Sequence, residues 1–302
     1  MTDPPGPTDP DTRGGAPRPD PAVYFLSDYG TEDEFVGVVH AVLHRLAPSV
    51  PVIDLAHQVP PYDVAAGAAL LVRSGPHLGP GVVLAVVDPG VGTDRRGVAV
   101  EVAPGGPTWL VGPDNGLLLP LAVSRGGVRS AVALDPGRLG AAPRPGTFDG
   151  RDVFAPAVAH LVRGGEATAI GTPVDPAGLT VGPEVAGAAG RPRPPGSPGS
   201  ELVTTVTWVD RFGNAQLDLE PEALFAIGLV PGGTARITGE RALTGRWVGA
   251  YGELGRGELG LLQDANGRVA LVLDRDSAAL ALRVGGPGAV VRIVGPSGAA
   301  PT

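Results

Sequence analysis

A stretch rich in proline, glycine and serine, residues 183–200, divides the chain into two parts whose hydrophobic patterns differ. Before it, short apolar runs alternate with segments of helical spacing, which predicts an α/β sheet. After it, short apolar runs follow one another with one short helix between them, which predicts a small all-β domain or barrel. The stretch itself has the composition of a linker. We therefore predict two folded domains, residues 22–182 and residues 201–302.

The first 21 residues contain seven prolines and no leucine, isoleucine, valine or aromatic residue. Such a segment cannot bury enough apolar surface to offset the entropy of ordering it. We therefore predict a disordered leader over residues 1–21.

Composition excludes several functional classes. The 302-residue chain has no cysteine, which excludes disulfides, thiolate zinc sites and cysteine nucleophiles. All 23 basic residues are arginine, which excludes a P-loop and lysine Schiff bases. A net charge of −8 without a basic cluster argues against a nucleic-acid partner. Because no apolar run reaches the ~18 residues of a membrane span and no signal pattern opens the chain, we expect a cytoplasmic protein with no membrane partner.

Local signals place the first elements. The apolar run Ala22–Ser27 predicts a buried strand, and Thr31 with Glu34 three residues later predicts a capping box that opens a helix. Asp63 is a candidate N-cap for a helix that ends near residue 73. A further helix is expected over residues 152–162, with a proline in its first turns.

Acidic turns follow several of the predicted strands, at residues 27–30, 88–95, 113–116, 147–152 and 210–214. Each is by itself an ordinary turn sequence, because glycine supplies positive φ and Asx side chains bond the nearby backbone. Together they lie at strand ends, where open α/β sheets bind ligands. The glycines at 90 and 92 lack the third glycine of a dinucleotide fingerprint. A ligand that carries hydroxyls or positive charge suits these carboxylates better than a phosphate.

Two other kinds of chemistry have no support in the sequence. The histidines at positions 40, 44, 57, 77 and 160 match no metal-binding spacing, so we expect no metal site. We expect His57, before a Val-Pro-Pro turn, to orient the backbone. No G-x-S-x-G elbow is present, which argues against a serine hydrolase.

Six segments, in order, resemble one family: SDYGTEDEFVG (27–37), IDLAHQVPPYDV (53–64), AVVDPGVGTDRR (85–96), GPDNGLL (112–118), TFDGRDVFAP (147–156) and VDRFGN (209–214). They are similar to the S-adenosyl-L-methionine (SAM) hydroxide adenosyltransferases, relatives of the SAM-dependent fluorinase and chlorinase, and the resemblance spans roughly residues 22–280. It implies an N-terminal α/β domain with a Rossmann-like sheet and a smaller C-terminal β-barrel. It also implies a homotrimer that binds SAM between the N-terminal domain of one subunit and the C-terminal domain of its neighbour. The implied reaction converts SAM and water to adenosine and L-methionine without a cofactor.

The resemblance also implies roles for individual residues. Asp88, Arg95 and Asp149 take the positions of the set that holds the attacking water. In the binding site, Asp28 would accept hydrogen bonds from the ribose hydroxyls and Tyr62 would pack over the sugar. The remaining implied contacts are Asp33 and Asp210 near the methionine ammonium, Phe212, Asn214 and Tyr251 at the adenine, and the backbone of the loop from Asp274 to Asp276 at the same ring.

Two positions depart from the family pattern. Asp149 stands where the family hydrolases have histidine, and a second carboxylate near Asp88 would raise one pKa of the pair unless Arg95 lies between them. Ala265 stands where family members often have a serine near the methionine carboxylate.

These departures leave two alternatives to the hydrolase: a catalytically weak protein that binds SAM or adenosine, and a SAM-dependent halogenase. An ionised Asp88 would repel a halide ion by ~1–4 kcal/mol, which favours the hydrolase over the halogenase.

Overall fold

The computed structural model describes residues 20–103, 105–141, 146–182 and 201–296. The predicted linker and all but the last two residues of the predicted leader lie outside the described residues.

The N-terminal part contains seven strands in one sheet. They are β1 (Ala22–Ser27), β2 (Val52–Ala56), β3 (Gly81–Val86), β4 (Gly97–Val102), β5 (Pro107–Pro113), β6 (Val128–Leu134) and β7 (Gly171–Pro173). Their order is β2-β1-β3-β5-β4-β6-β7. The first four in this order are parallel to one another, whereas β4 and β7 run antiparallel to their neighbours. The sheet is therefore mixed, within the α/β class predicted from the sequence.

Helices cover both faces of this sheet. They are α1 (Phe35–Leu46), α2 (Val64–Ser74), α3 (Leu119–Ser124), α4 (Ala155–Val162) and α5 (Ala167–Ile170), with a π-helical turn at Gly150–Phe154 and short 3₁₀ turns at Gly75–His77 and Pro176–Gly178. On β3, Val83 and Ala85 face the core under α2 and α3, whereas Val82, Leu84 and Val86 face the core under α1 and α4. Every residue of β3 is buried, which explains why this strand is continuously apolar.

Two predicted helix starts need separate comment. The structure confirms Asp63 as the N-cap of α2, because its side chain accepts a 2.9 Å hydrogen bond from the Ala66 N–H. The predicted start of α1 at Thr31 is wrong: the helix begins at Phe35, and Glu34 makes no side-chain capping bond. The residues between β1 and α1 therefore form an irregular turn and not the first turn of the helix.

The C-terminal part is a closed seven-stranded barrel, as the run of short strands predicted. Its strands are β8 (Glu201–Val209), β9 (Ala215–Leu217), β10 (Thr234–Thr238), β11 (Ala242–Trp247), β12 (Leu259–Gln263), β13 (Val269–Leu273) and β14 (Val290–Val294), in the order β10-β11-β12-β13-β9-β8-β14. Helices α6 (Glu222–Phe225) and α7 (Ala278–Leu282) and a 3₁₀ turn at Tyr251–Glu253 complete it. Sequence analysis missed β11, whose polar and glycine residues interrupt the apolar pattern.

The two parts meet where α2 packs on β8. The Arg73 guanidinium carbon lies 4.7 Å from the centroid of the Trp208 ring. Burial lowers the pKa of Arg73 to about 10, and the Asp264 carboxylate of the barrel opposes that effect. A cation from one domain therefore stacks on an aromatic residue of the other.

None of the helices in the described residues combines the length and the hydrophobicity that crossing a membrane requires.

Candidate active site

Asp88 lies two residues after the end of β3, at the carboxyl edge of the parallel strands. Its side chain is 6% exposed. The loop that follows is held by the Val91 N–H bond to the Asp88 carbonyl oxygen, at 3.3 Å, and by the Thr93 hydroxyl, which donates to the Gly90 carbonyl oxygen at 2.6 Å. This tight turn brings the chain back to β4 within a few residues, so Arg95 faces Asp88.

Arg95 binds two carboxylates at once. Its Nε donates to Asp88 Oδ1 at 3.1 Å, and its Nη2 donates to Asp88 Oδ2 and, at 2.7 Å, to Asp149 Oδ2. The guanidinium carbon also lies 5.5 Å from the centroid of the Phe154 ring. The position of Arg95 is therefore fixed from three sides, and it lies between the carboxylates as sequence analysis required for them to be compatible.

Asp149 reaches this cluster from the segment that precedes α4. It immediately precedes the π-helical turn Gly150–Phe154, and its side chain is 21% exposed. The wider turn of a π-helix is often found at functional sites. Here Asp149 pairs with Arg95 and does not point freely to solvent.

The pKa of the Asp88 carboxyl is raised above its ordinary value. Burial is the largest cause, the Arg95 guanidinium opposes it, and the nearby Asp149 carboxylate raises the pKa further. A carboxylate with a raised pKa is a better proton acceptor than an ordinary one.

Tyr29 is a residue of this site that sequence analysis missed. Burial raises the pKa of its hydroxyl, and the charges of Asp28, Asp88 and Asp149 add to that effect. Its ring packs edge-on against Phe148, with centroids 5.6 Å apart. The Tyr29 hydroxyl therefore stays neutral within electrostatic range of three carboxylates; its place in the SDYG turn, directly after Asp28, was the available signal.

The other N-terminal residues lie around the same edge of the sheet. Asp28 directly follows β1, and its Oδ2 accepts a 2.9 Å hydrogen bond from the Tyr62 N–H. Tyr62 has a positive φ of 66° and is 72% exposed. Asp33 is exposed in the turn before α1. The structure thus joins Asp28 to Tyr62 directly and leaves Asp33 at the rim.

In the barrel, Asp210 organises its own turn. Its Oδ1 accepts hydrogen bonds from the N–H groups of Phe212 and Asn214, at 2.9 and 3.0 Å, and its Oδ2 accepts from Asn214 Nδ2 at 2.8 Å. Phe212 is left 72% exposed at the tip. Since its oxygens accept these bonds, Asp210 has a clear structural role in its own turn, and its contact with the methionine ammonium stays a prediction.

Three further barrel residues surround that turn. Tyr251 is 50% exposed, and burial followed by the charge of Asp210 raises the pKa of its hydroxyl. The loop that carries Asp274 and Asp276 leads into α7, and the Ala279 N–H of that helix donates to the Gly213 carbonyl oxygen at 3.0 Å. The turn at residues 210–214 therefore contacts the start of α7, and Phe212 and Tyr251 are exposed.

The N-terminal and barrel groups are separate within one chain. Among the described residues, no hydrogen bond or ion pair joins the group around Asp88 to the group around Asp210. No polar contact therefore joins the two groups within the described part of the chain.

One predicted acidic turn has a structural role. Asp114 accepts hydrogen bonds from Arg96 Nη2 and from the Thr180 N–H, the latter at 2.8 Å. Asn115 Nδ2 donates to the Val87 carbonyl oxygen at 2.8 Å. The turn at residues 113–116 therefore fixes the strand end that carries Asp88.

A second polar cluster lies at the edge strand β2. The Asp54 Oδ1 atom lies 2.8 Å from His40 Nε2 and 3.0 Å from His57 Nε2. His57 Nδ1 in turn lies 2.8 Å from Ser27 Oγ. The expectation that His57 orients the backbone is therefore wrong for its imidazole, which contacts side chains. These three residues could together hold a metal ion.

Comparison with known proteins assigns the family. Residues 23–171 match the SAM hydroxide adenosyltransferase N-terminal domain, and residues 204–291 match its C-terminal domain. A protein named (R)-S-adenosyl-L-methionine hydrolase from Salinispora tropica is 41% identical over 262 residues, which cover 86% of this chain and 93% of that protein. One of the same name from Thermus thermophilus is 41% identical over 282 residues, 88% of this chain and 97% of that protein.

More distant matches agree with this assignment. A fluorinase from Actinoplanes is 27% identical over 231 residues, 69% of this chain and 75% of that protein. A crystal structure of an uncharacterized conserved protein from Thermotoga maritima superposes with a TM-score of 0.76 at 28% identity, covering 90% of this chain and 99% of that one. Since both domain models match and together cover most of the sequence, the chain belongs to the SAM hydroxide adenosyltransferase family.

Proposed function

We propose that this protein hydrolyses S-adenosyl-L-methionine to adenosine and L-methionine. The observation that carries this proposal is the buried Asp88–Arg95 pair at the carboxyl edge of the sheet, in a chain of this family. The curated relatives of similar length are named (R)-S-adenosyl-L-methionine hydrolase, so we extend the proposal to the substrate with the R configuration at sulfur.

The reaction is a displacement at the 5′ carbon of the ribose. The water oxygen forms a bond to that carbon, the carbon–sulfur bond breaks, and its electron pair returns to sulfur as the neutral thioether of methionine. The water proton passes to a base. Because the leaving group is neutral, no general acid is needed, and the proposed reaction requires no cofactor.

Asp88 is the proposed proton acceptor. Its carboxyl is buried and has a raised pKa, which suits general-base catalysis near neutral pH. Arg95 orients that carboxylate through two hydrogen bonds, as charge-assisted bidentate contacts do. In-line placement of the water beside Asp88 supplies the remaining rate enhancement.

Asp149 takes the position that histidine holds in the family hydrolases. We propose that it anchors the far side of Arg95, through the 2.7 Å contact to Nη2, and accepts a hydrogen bond from the water. The neutral Tyr29 hydroxyl beside these carboxylates is a donor that can hold the same water.

The substrate contacts are proposed on two half-sites, which are the N-terminal group around Asp88 and the barrel group around Asp210. Asp28 and Tyr62, already joined by a hydrogen bond, suit the ribose hydroxyls and one face of the sugar. Asp33 and Asp210 suit the methionine ammonium. The barrel residues Phe212, Asn214 and Tyr251 and the backbone of the loop from Asp274 to Asp276 suit the adenine, since exposed aromatic rings stack on a base.

A homotrimer is the assembly that we propose for the active form. In support, the two half-sites make no polar contact within the described part of one chain, and the aromatic residues Phe212 and Tyr251 of the barrel are exposed. A neighbouring subunit that brings its barrel to the Asp88 group would complete the site. We propose that the reaction takes place in the cytoplasm.

The test is to incubate the purified protein with the R and S sulfonium forms of SAM in halide-free buffer and to separate the products by chromatography. Adenosine and methionine released in equal amounts from the R form support the proposal. Intact SAM together with a thermal shift by adenosine would instead indicate a binding protein. A 5′-halogenated adenosine formed after chloride or fluoride is added would indicate a halogenase.

The Asp88→Asn variant tests the assigned base. We expect kcat to fall by ~10²–10⁴-fold, the usual contribution of a positioned general base, with SAM binding retained in calorimetry. Asp94→Asn, an exposed residue of the same loop, is the matched control and should keep wild-type kcat. Equal activity of the two variants would remove Asp88 from the mechanism.

A further inference from the structure

The histidines and the aspartate at the edge of the sheet form a compact group, here called the His40–Asp54–His57 cluster. His40 lies on α1, Asp54 on the edge strand β2, and His57 in the turn that follows β2. Each offers one ligand atom, and the three atoms all lie within 4.8 Å of one another. Helix α1 and the end of β2 with the turn that follows it thus bring nitrogen and oxygen donors close together.

His57 is the residue that points to a ligand. It is 7% exposed, and its Nε2 is enclosed and has no aligned hydrogen-bond partner among the described residues. The nearby Asp54 Oδ1, at 3.0 Å, is within ion-pair distance but does not satisfy hydrogen-bond geometry. A buried polar atom without a partner costs free energy, and such atoms call for an explanation.

The other ring nitrogen of His57 is already engaged. Nδ1 lies 2.8 Å from Ser27 Oγ, which also accepts a 3.4 Å contact from the Tyr29 N–H. If Nδ1 carries the proton, Nε2 has a free lone pair that can bind a metal ion. Histidine ligands of metal ions are commonly oriented in this way by an outer hydrogen-bond partner.

The spacing of the donor atoms fits a metal ion. Nitrogen and carboxylate ligands lie ~2.0–2.2 Å from zinc, so neighbouring ligand atoms about a tetrahedral ion are roughly 3.4 Å apart. The observed separations of 2.8 and 3.0 Å from Asp54 Oδ1 to the two imidazoles are a few tenths of an ångström shorter, so small side-chain shifts would admit the ion. Phe25 packs against both rings, with centroids 4.5 Å from His57 and 6.1 Å from His40, which limits their rotation.

We propose that the His40–Asp54–His57 cluster binds a divalent transition-metal ion, with zinc as the ion that the donor set favours. Two imidazoles and one carboxylate suit zinc, whereas magnesium and calcium select oxygen ligands alone. The side chains of His40 and Asp54 are 34% and 43% exposed, so water can complete the coordination. The cluster borders an open surface depression that His44 also lines.

The ion has a structural consequence that is independent of the proposed hydrolysis. It ties α1 to β2 and to the loop between β2 and α2, which carries Tyr62. Since a metal that binds only the folded state stabilises it by mass action, zinc is expected to raise the melting temperature. Asp88 and Arg95 take no part in this site.

The test is zinc titration of the metal-free full-length protein by calorimetry, with His40→Ala and His44→Ala as matched variants. Both histidines lie on α1 one turn apart and outside the buried core, but only His40 belongs to the cluster. We expect one zinc per wild-type chain, at least ~10-fold weaker binding in His40→Ala, and unchanged binding in His44→Ala. Equal zinc affinity of wild type and His40→Ala overturns the proposal.

Two further readouts keep the test independent of folding and of activity. Cobalt bound in place of zinc should give visible absorption bands in the wild type that are absent in Asp54→Asn. The rise in melting temperature between chelator-treated and zinc-loaded protein should be lost in His40→Ala and kept in His44→Ala. Cobalt spectra that are the same for Asp54→Asn and wild type, or a zinc-dependent rise that persists in His40→Ala, would also overturn the proposal.

Discussion

Two carboxylates share one guanidinium at the candidate active site, and this charge balance is the main feature of the site at the scale of single residues. With Asp88 and Asp149 ionised and Arg95 positive, the cluster carries one excess negative charge. An excess negative charge attracts a sulfonium substrate and repels a halide ion. The charge of Asp88 and Asp149 together therefore favours hydrolysis over halogenation.

Asp149→Asn should move the acid side of the pH–rate profile to lower pH. The pKa of Asp88 is raised by burial and by the Asp149 charge, and only the ionised carboxylate accepts a proton, so kcat falls as pH drops through this raised pKa. Removal of the Asp149 charge lowers the pKa of Asp88, which keeps the base ionised in more acidic buffer.

The measurement is kcat for SAM hydrolysis across a pH series, for wild type, Asp149→Asn and the control Asp94→Asn. A profile of Asp149→Asn that moves to higher pH, or that coincides with the wild-type profile, would show that the two carboxylates are not coupled.

Helix α2 gives a prediction at the scale of one element. Asp63→Ala removes the side-chain acceptor for the Ala66 N–H, and loss of an N-cap costs ~0.5–2 kcal/mol of folding free energy. Urea unfolding should show this loss. Asp63→Asn is the control, because asparagine caps about as well as aspartate; a loss equal to that of Asp63→Ala would contradict the capping role.

The turn at residues 210–214 gives a second prediction for an element. Gly213 has φ of +81°, and a Cβ there would lie 2.1 Å from Ser277 Oγ, whereas Gly232 has φ of +82° with nothing within 4 Å. Alanine at either position costs ~1–2 kcal/mol for the left-handed backbone. Gly213→Ala should cost more and should also weaken SAM binding, because the clash displaces the turn that carries Phe212.

Urea unfolding and SAM calorimetry of the two alanine variants check this expectation. Equal losses of stability, with SAM affinity unchanged in Gly213→Ala, would mean that the turn and the Ser277 loop are not packed as described.

At the scale of the whole molecule, the notable feature is that the proposed site residues form two groups, one in the N-terminal domain and one in the barrel. The aromatic side chains of Phe212 and Tyr251 are exposed on the barrel domain, and the carboxylates around Asp88 are at the carboxyl edge of the sheet. Exposed aromatic residues of this kind are typical of surfaces that bind a ligand or another subunit. A closed ring of subunits lets every barrel face a neighbouring sheet.

Complementation between two inactive variants tests this arrangement. Asp88→Asn disables the N-terminal half-site, and the double variant Phe212→Ala/Tyr251→Ala disables the barrel half-site without removing buried side chains. If sites form between subunits, random co-assembly leaves about a quarter of the sites with both halves intact. Co-expressed variants should then recover roughly that share of wild-type SAM hydrolysis, and no recovery would place each site within one chain.

Much of the fold could be predicted because local patterns report which faces are buried. The continuous apolar run of β3, the short strands after residue 200 and the Asp63 cap all appear in the structure. The start of α1 could not be predicted, because the Thr31 and Glu34 pattern fits a capping box equally well when the chain forms an irregular turn. Strand β11 was not predicted because its own sequence lacks a clear strand pattern. It forms a strand because it pairs with β10 on one side and β12 on the other.

Motifs in the sequence were sufficient to indicate the family, the two domains' classes and the residue types of the reaction. They could not show that Arg95 lies between Asp88 and Asp149, because Arg95 and Asp149 are 54 positions apart in the sequence. They also could not show that the charges of Asp88 and Asp149 both act on the Tyr29 hydroxyl. Nor could they show that His57 contacts Ser27, 30 positions away, while its buried Nε2 makes no hydrogen bond among the described residues. Motifs record neighbours along the chain, whereas charge balance, burial and ligand geometry depend on distances between segments that only packing brings together.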